Sequence, residues 1–113
     1  MAAVGSETSS SPTPQGGLLL VAHHEKELAG WVGTIVVLDL TSPFVVVGTL
    51  IECGPRYLVL GETDVHDLRD TSTTREQYVL GAARHGVSPN RRRVLISREQ
   101  IVAIASLTDV TID

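Results

Sequence analysis

Apolar and polar residues follow one another along the chain in blocks that predict a short helix and then several strands. Residues 18–30, LLLVAHHEKELAG, carry apolar side chains at helical spacing, and Gly30 is a typical residue to end a helix. The segments that follow are rich in β-branched and aliphatic residues and are bounded by turn residues, as strands are. Three strands are predicted here, at 33–40, 44–53 and 56–68.

The periodicity changes after the third strand and predicts a second helix. Thr73 and Glu76 stand three residues apart, which is the spacing of a capping box. The helix is predicted over 77–84, although Gly81 disfavours it. In the alternative, residues 77–80 form an extended arm of the third strand. The last two strands are predicted at 92–97 and 101–107, joined by a very short link.

One helix followed by five short strands indicates a small barrel, because so few strands cannot form a two-layer sandwich with a full core. The strands of such a barrel bend sharply, and glycine is favoured at the bend. Gly48 lies in the centre of the second strand, between Val46 and Leu50, which are predicted to face inward. We therefore predict a mainly β domain over 18–113, with an insertion at 67–90 between the third and fourth strands.

Composition limits the class of protein further. Residues 1–17 are rich in Ser, Thr, Pro and Gly and predict a disordered tail, which leaves about 95 residues for one folded domain. The N-terminal sequence lacks the pattern of a secretory signal, and no apolar run reaches the roughly 20 residues of a membrane helix. We expect a cytoplasmic protein. Its single cysteine, Cys53, excludes an internal disulfide and a cysteine-rich zinc site.

The formal net charge is −4, which is not typical of a nonspecific nucleic-acid binder. The charges are unevenly distributed, however, with acidic residues at 62–70 and a basic run at Arg91, Arg92 and Arg93. This run is a candidate contact for phosphate groups. Alternatively, these arginines are only the solvent-exposed beginning of the fourth strand.

No motif of the sequence indicates catalysis. The chain lacks a phosphate-binding loop, an HExxH pattern and a recognisable nucleophile elbow. His23 and Glu27 could share a metal ion on a helix, but two ligands at that spacing are frequent by chance. We therefore expect a binding protein with no metal, no cofactor and no enzymatic activity.

The chain has a predicted helix, then VGTIVVLDL, a turn, VVVGTLIE, a second turn and finally VLISREQIVAI. This order of elements resembles a divergent, bacterial-type member of the Sm and Sm-like family. Val46, Gly48 and Leu50 match the first family motif, and residues 96–101 take the place of the second. The resemblance covers about residues 20–107 and implies an N-terminal helix on a strongly bent, five-stranded barrel. It also implies a homomeric ring of six or seven subunits, in which the fourth strand of one subunit pairs with the fifth strand of the next.

Many family members bind uridine-rich single-stranded RNA in the ring pore, and the resemblance implies the same here. The family's stacking position falls on Arg56, its asparagine on Leu58 and its second-motif arginine on Ser97. Leu58 offers no hydrogen bond to a uracil, and Ser97 is too short to replace an arginine. A register shift of one residue would place Tyr57 at the asparagine position, and Arg98 stands beside Ser97.

The candidate nucleic-acid-binding residues are therefore Arg56, Tyr57, Arg98, Arg91, Arg92 and Arg93. The carboxylate that often orients the family's arginine falls on Glu99. The alternative function is an oligomeric protein-interaction scaffold that has lost the uridine pocket. The departures at Leu58 and Ser97 favour this scaffold, whereas the arginine run favours RNA.

Overall fold

The computed structural model describes residues 24–111, and the predicted tail at 1–17 lies outside them. Helix α1 occupies residues 24–29 of the described part, and the beginning of its predicted range also lies outside it. No helix among the described residues is long and apolar enough to cross a membrane. The remaining elements are β1 (Ile35–Leu40), β2 (Phe44–Cys53), β3 (Tyr57–Asp67), α2 (Arg75–His85), β4 (Arg91–Ser97) and β5 (Ile101–Ser106).

All five strands belong to one antiparallel sheet in the order β4-β3-β2-β1-β5. The predicted class, an N-terminal helix followed by a bent five-stranded sheet, is confirmed, and every strand boundary agrees with its prediction within two residues. Strands β4 and β5 are neighbours in sequence but lie at opposite ends of the sheet order. Each has one edge that pairs with no strand of the described part of the chain.

The pairing register of β2 and β3 shifts at two β-bulges, and bulges bend and twist a sheet. At the first place, Gly48 faces two residues of β3, Glu62 and Thr63, and Glu62 has a positive φ of 44°. At the second place, the extra residue lies on β2 and is Ile51. The predicted bend of β2 near its central glycine is therefore present.

The reason for glycine at position 48 is the close approach of β3. A Cβ atom there would lie 2.5 Å from Oγ1 of Thr63 and 3.0 Å from its Cα. Thr63 is fully buried and has little room to move. The neighbouring positions Val46 and Leu50 are fully buried, as predicted.

The sheet is covered on both faces, which explains why β1 and β2 are apolar almost throughout. The face toward α1 forms the larger core, against which Leu28 and Trp31 pack. The opposite face is covered by α2 through Tyr78, Val79 and Ala82. The buried residues of the larger core are Val36, Leu38, Val46, Leu50, Leu58, Leu60 and Ile96.

The insertion between β3 and β4 folds into helix α2, so the alternative of an extended arm at 77–80 is wrong. The predicted capping box is present but one residue later than predicted. Thr74 accepts a hydrogen bond from the Gln77 backbone at 3.1 Å, and the Gln77 side chain accepts one from the Thr74 backbone at 3.0 Å. Thr73 is not the cap, because its hydroxyl accepts a hydrogen bond from the Thr71 hydroxyl and its backbone N–H donates to the same group.

Candidate nucleic-acid interface

The turn between β2 and β3 presents two of the candidate residues to solvent. Gly54 N–H donates to the carbonyl of Tyr57 at 2.9 Å, which closes the turn around Pro55 and Arg56. The ring of Pro55 fixes its φ and makes the turn stiff. Tyr57 is 47 % exposed, and Leu58, the next residue along the strand, points into the core.

The turn between β4 and β5, residues 98–100, lies beside the first turn. Tyr57 is paired with Ser97 across the strands, and Arg98 N–H donates to the carbonyl of Arg56 at 2.9 Å. Between the two turns is a cavity of about 470 Å³, which we call the turn pocket. Its lining residues are Pro55, Arg56, Tyr57, Ser97, Arg98 and Glu99.

Arg98 lines the turn pocket, but its guanidinium group is held by α1. Nη1 and Nη2 donate to the two carboxylate oxygens of Glu25 at 2.8 and 3.1 Å. This ion pair lowers the pKa of Glu25 and raises the pKa of Arg98. The buried Nε of Arg98 has no hydrogen-bond partner among the described residues. Arg98 therefore connects α1 to the sheet, and Glu25 neutralises its positive charge.

Glu99 is left without a cationic partner among the described residues. Ser97 stands where the family resemblance places an arginine, and Arg98 is already paired. The carboxylate of Glu99 is exposed and accepts no hydrogen bond from residues 24–111. Within that part of the chain, the turn pocket thus contains one free carboxylate, one free guanidinium group from Arg56 and one aromatic ring from Tyr57.

The position that the resemblance assigns to a base-binding asparagine is closed to ligands. Leu58 is 2 % exposed and pairs with Ile96 inside the larger core. Cys53, at the end of β2, is partly buried, and that burial raises the pKa of its thiol.

The arginine run lies away from the turn pocket. Arg91 and Arg93 are paired with Thr63 and Gly61 of β3, and all three arginines are exposed. A strand advances about 3.3 Å per residue, so Arg91 stands about 20 Å along β4 from Ser97. The six candidate residues therefore form two groups, one at the turn pocket and one at the far end of β4.

A partly buried polar cluster joins α2 to β3, and it was not predicted from the sequence. The hydroxyl of Tyr78 donates to Asp64, whose other oxygen accepts from the Asn90 side chain at 3.0 Å. The ring of His66 stacks on Tyr78 with 4.2 Å between the centroids. Burial and the bond to Asp64 raise the pKa of Tyr78, so its hydroxyl remains a donor. The only sequence signal was the alternation of polar residues in the second half of β3.

No group of three or more His, Cys, Asp and Glu side chains within residues 24–111 is arranged to hold a metal ion. Of the pair considered from the sequence, His23 lies outside these residues. Glu27 lies 3.7 Å from His24 on an exposed turn of α1. This contact is between neighbours on one helix and does not form a site.

No family model and no curated protein match the chain. Among solved structures, it is similar to an Sm protein of Pyrococcus abyssii in complex with a uridine heptamer, with 15 % identity and a TM-score of 0.49 over 73 % of this chain and 94 % of that one. It is also similar to a chain of the NatC complex bound to CoA, with 18 % identity and a TM-score of 0.49 over 74 % and 94 %. A chain of the NatC complex bound to Gag peptide and CoA is similar as well, with 18 % identity and a TM-score of 0.45 over 68 % of this chain and 86 % of that one. TM-scores below 0.5 do not decide between functions.

Proposed function

We propose that the protein binds single-stranded RNA at the turn pocket. The observation that carries this proposal is the exposure of Arg56 and Tyr57 on one stiff turn that borders a cavity of about 470 Å³. Aromatic rings and guanidinium planes are the groups on which unpaired bases stack, and one such stack contributes about 1–3 kcal/mol. Arg98 serves this site indirectly, because it holds α1 against the sheet behind the pocket.

The arginine run is the second part of the proposed interface. Arg91, Arg92 and Arg93 are exposed and point alternately to the two sides of β4. A single strand of several nucleotides that starts in the turn pocket would meet them with its phosphates. Binding to a single strand weakens as salt is added, and each phosphate contact makes the slope of log K against log salt concentration more negative by about 0.7. Arg56 alone would give a slope of about −0.7, and all four arginines together a slope of about −2.8.

Self-association through the sheet edges is also part of the proposal, as the family resemblance implies. The free edges of β4 and β5 carry unpaired backbone groups, which are a template for pairing with another chain. Leu95 on β4 is 55 % exposed, and Val102 on β5 is 68 % exposed. A β4–β5 contact repeated between copies would cover both side chains and close a ring. It would also bring several turn pockets into one assembly.

The test of the RNA site is fluorescence anisotropy of the full chain with a labelled uridine-rich oligonucleotide across a salt series. Arg56→Ala should weaken binding about 5-fold to 50-fold, because both a stacking plane and a charge are lost. The matched control is Arg84→Ala, which removes the same charge from the last turn of α2.

Equal affinities of the two variants would contradict a site at the turn pocket. An oligomeric protein that binds no oligonucleotide even at low salt would instead support the scaffold alternative. The salt slope of the wild-type chain shows how many of the four arginines take part.

A further inference from the structure

The polar groups that remain free in the turn pocket include a carboxylate, which uracil satisfies only in part. Uracil presents one N–H donor between two carbonyl acceptors, so one carboxylate oxygen can accept from it while the other oxygen faces a carbonyl. Leu58 is buried, and both terminal nitrogens of the Arg98 guanidinium donate to Glu25. The free groups are the carboxylate of Glu99, the hydroxyl of Ser97 and the guanidinium of Arg56.

An ionised carboxylate is a pure acceptor with two oxygens side by side. Guanine is the base whose Watson–Crick edge presents two adjacent donors, N1–H and the N2 amino group. Adenine and cytosine present one amino donor next to a ring nitrogen that is an acceptor, and a carboxylate repels such an acceptor. Bases of single-stranded RNA are open to recognition on this edge.

We propose that the turn pocket selects guanine over uracil, with the carboxylate of Glu99 accepting from N1–H and the N2 amino group. Tyr57 supplies the stacking surface, and Arg56 supplies a counter-charge for the neighbouring phosphate. The hydroxyl of Ser97, two residues before Glu99, is available to donate to O6. This inference rests on the proposed function, because it names the base that the same pocket accepts.

The departure from the family pattern supports the same conclusion. A carboxylate that orients an arginine is neutralised by it and does not face the ligand. Here the arginine position is Ser97, so Glu99 keeps its accepting capacity for a ligand. A site whose hydrogen-bonding groups match one base rejects a base that would leave them unpaired.

The experiment compares two labelled RNAs of equal length, an all-uridine octamer and an alternating guanine–uracil octamer, which avoids four-stranded guanine structures. We expect the full chain to bind the alternating octamer about 5-fold to 20-fold more tightly, the lower part of the range for a bidentate base contact. Replacing guanine by inosine removes the N2 amino group and should abolish most of this preference. Glu99→Gln should reduce the preference to less than about 2-fold, whereas Glu76→Gln, a charge-matched control on α2, should keep it.

The possible failures are distinguishable. Equal binding of the two octamers, or tighter binding of the uridine octamer, overturns the guanine inference and leaves the RNA-binding proposal intact. A guanine preference that survives in Glu99→Gln shows that another group reads the base and also overturns the inference. Binding of neither octamer at low salt overturns the proposed function and the inference with it. Circular dichroism of both variants confirms that each exposed substitution leaves the fold unchanged.

Discussion

Replacing Gly48 by alanine places a methyl group against β3, and the structure sets the size of the conflict. The new Cβ would lie 2.5 Å from Oγ1 of Thr63 and 3.0 Å from the Cα and Cβ of the same residue. Thr63 is fully buried, so its side chain has little room to rotate away from the first contact, and the Cα belongs to the backbone of a paired strand. The strands must therefore separate locally at the first bulge.

Overpacking of this kind costs typically about 1–3 kcal/mol, and we expect about 2 kcal/mol for Gly48→Ala. With a urea m-value of about 1.5 kcal/mol/M, the unfolding midpoint should fall by about 1.3 M. The single tryptophan, Trp31, packs against the larger core and reports unfolding by its fluorescence. All variants are compared at one protein concentration, because self-association would add to the measured stability.

The structure provides both a control and a rescue for this prediction. Gly81 lies on α2, and a Cβ added there would meet no atom within 4 Å, so Gly81→Ala should stabilise the protein by up to about 1 kcal/mol. Thr63→Ala removes the closest atom, Oγ1, which has no hydrogen-bond partner among the described residues. The double variant Gly48→Ala with Thr63→Ala should recover about 1 kcal/mol relative to the sum of the single changes. A Gly48→Ala protein as stable as wild type, or additive effects in the double variant, would refute the close-approach explanation.

Two further predictions concern α1 and the sheet edges. The bond to Arg98 lowers the pKa of Glu25. The stabilisation that this ion pair gives to α1 docking is therefore fully present above the ordinary glutamate pKa and is lost as the pH falls through the lowered pKa. Trp31 emission should shift to the red over that acidic range in the wild type, and Glu25→Gln should show the shifted emission already at neutral pH; identical pH profiles would exclude this role. At the edges, light scattering should give the wild type a mass well above 12.1 kDa, and Val102→Lys should lower it while circular dichroism stays unchanged. A wild type that remains monomeric at high concentration would exclude edge pairing.

Secondary structure was largely predictable because it depends on local chemistry. Runs of β-branched residues, the Gly54-Pro55 turn and the stop at Gly30 are visible without any partner in space. The error of one residue at the start of α2 has a local cause as well. Both Thr73–Glu76 and Thr74–Gln77 fit the capping pattern, and the hydrogen bond from Thr73 to Thr71 decides between them.

The candidate site was only partly predictable, because its members come from distant positions. Arg56, Tyr57 and Arg98 were selected by their alignment with a family pattern, and the turn pocket does contain all three. The sequence did not indicate that Arg98 is bound to Glu25, which is 73 residues away. It therefore did not indicate that Glu99 is the free charged group beside Ser97.

The chain's own residues thus determine where strands, turns and helices begin and end, and they mark Gly48 as unusual. Tertiary structure alone decides why that glycine is needed, because the nearest obstacle is Thr63 on another strand. It also decides which charges are neutralised and which remain available to a ligand. Propensity acts over a few neighbouring residues, whereas steric exclusion and ion pairing depend on distances that exist only after the sheet has formed.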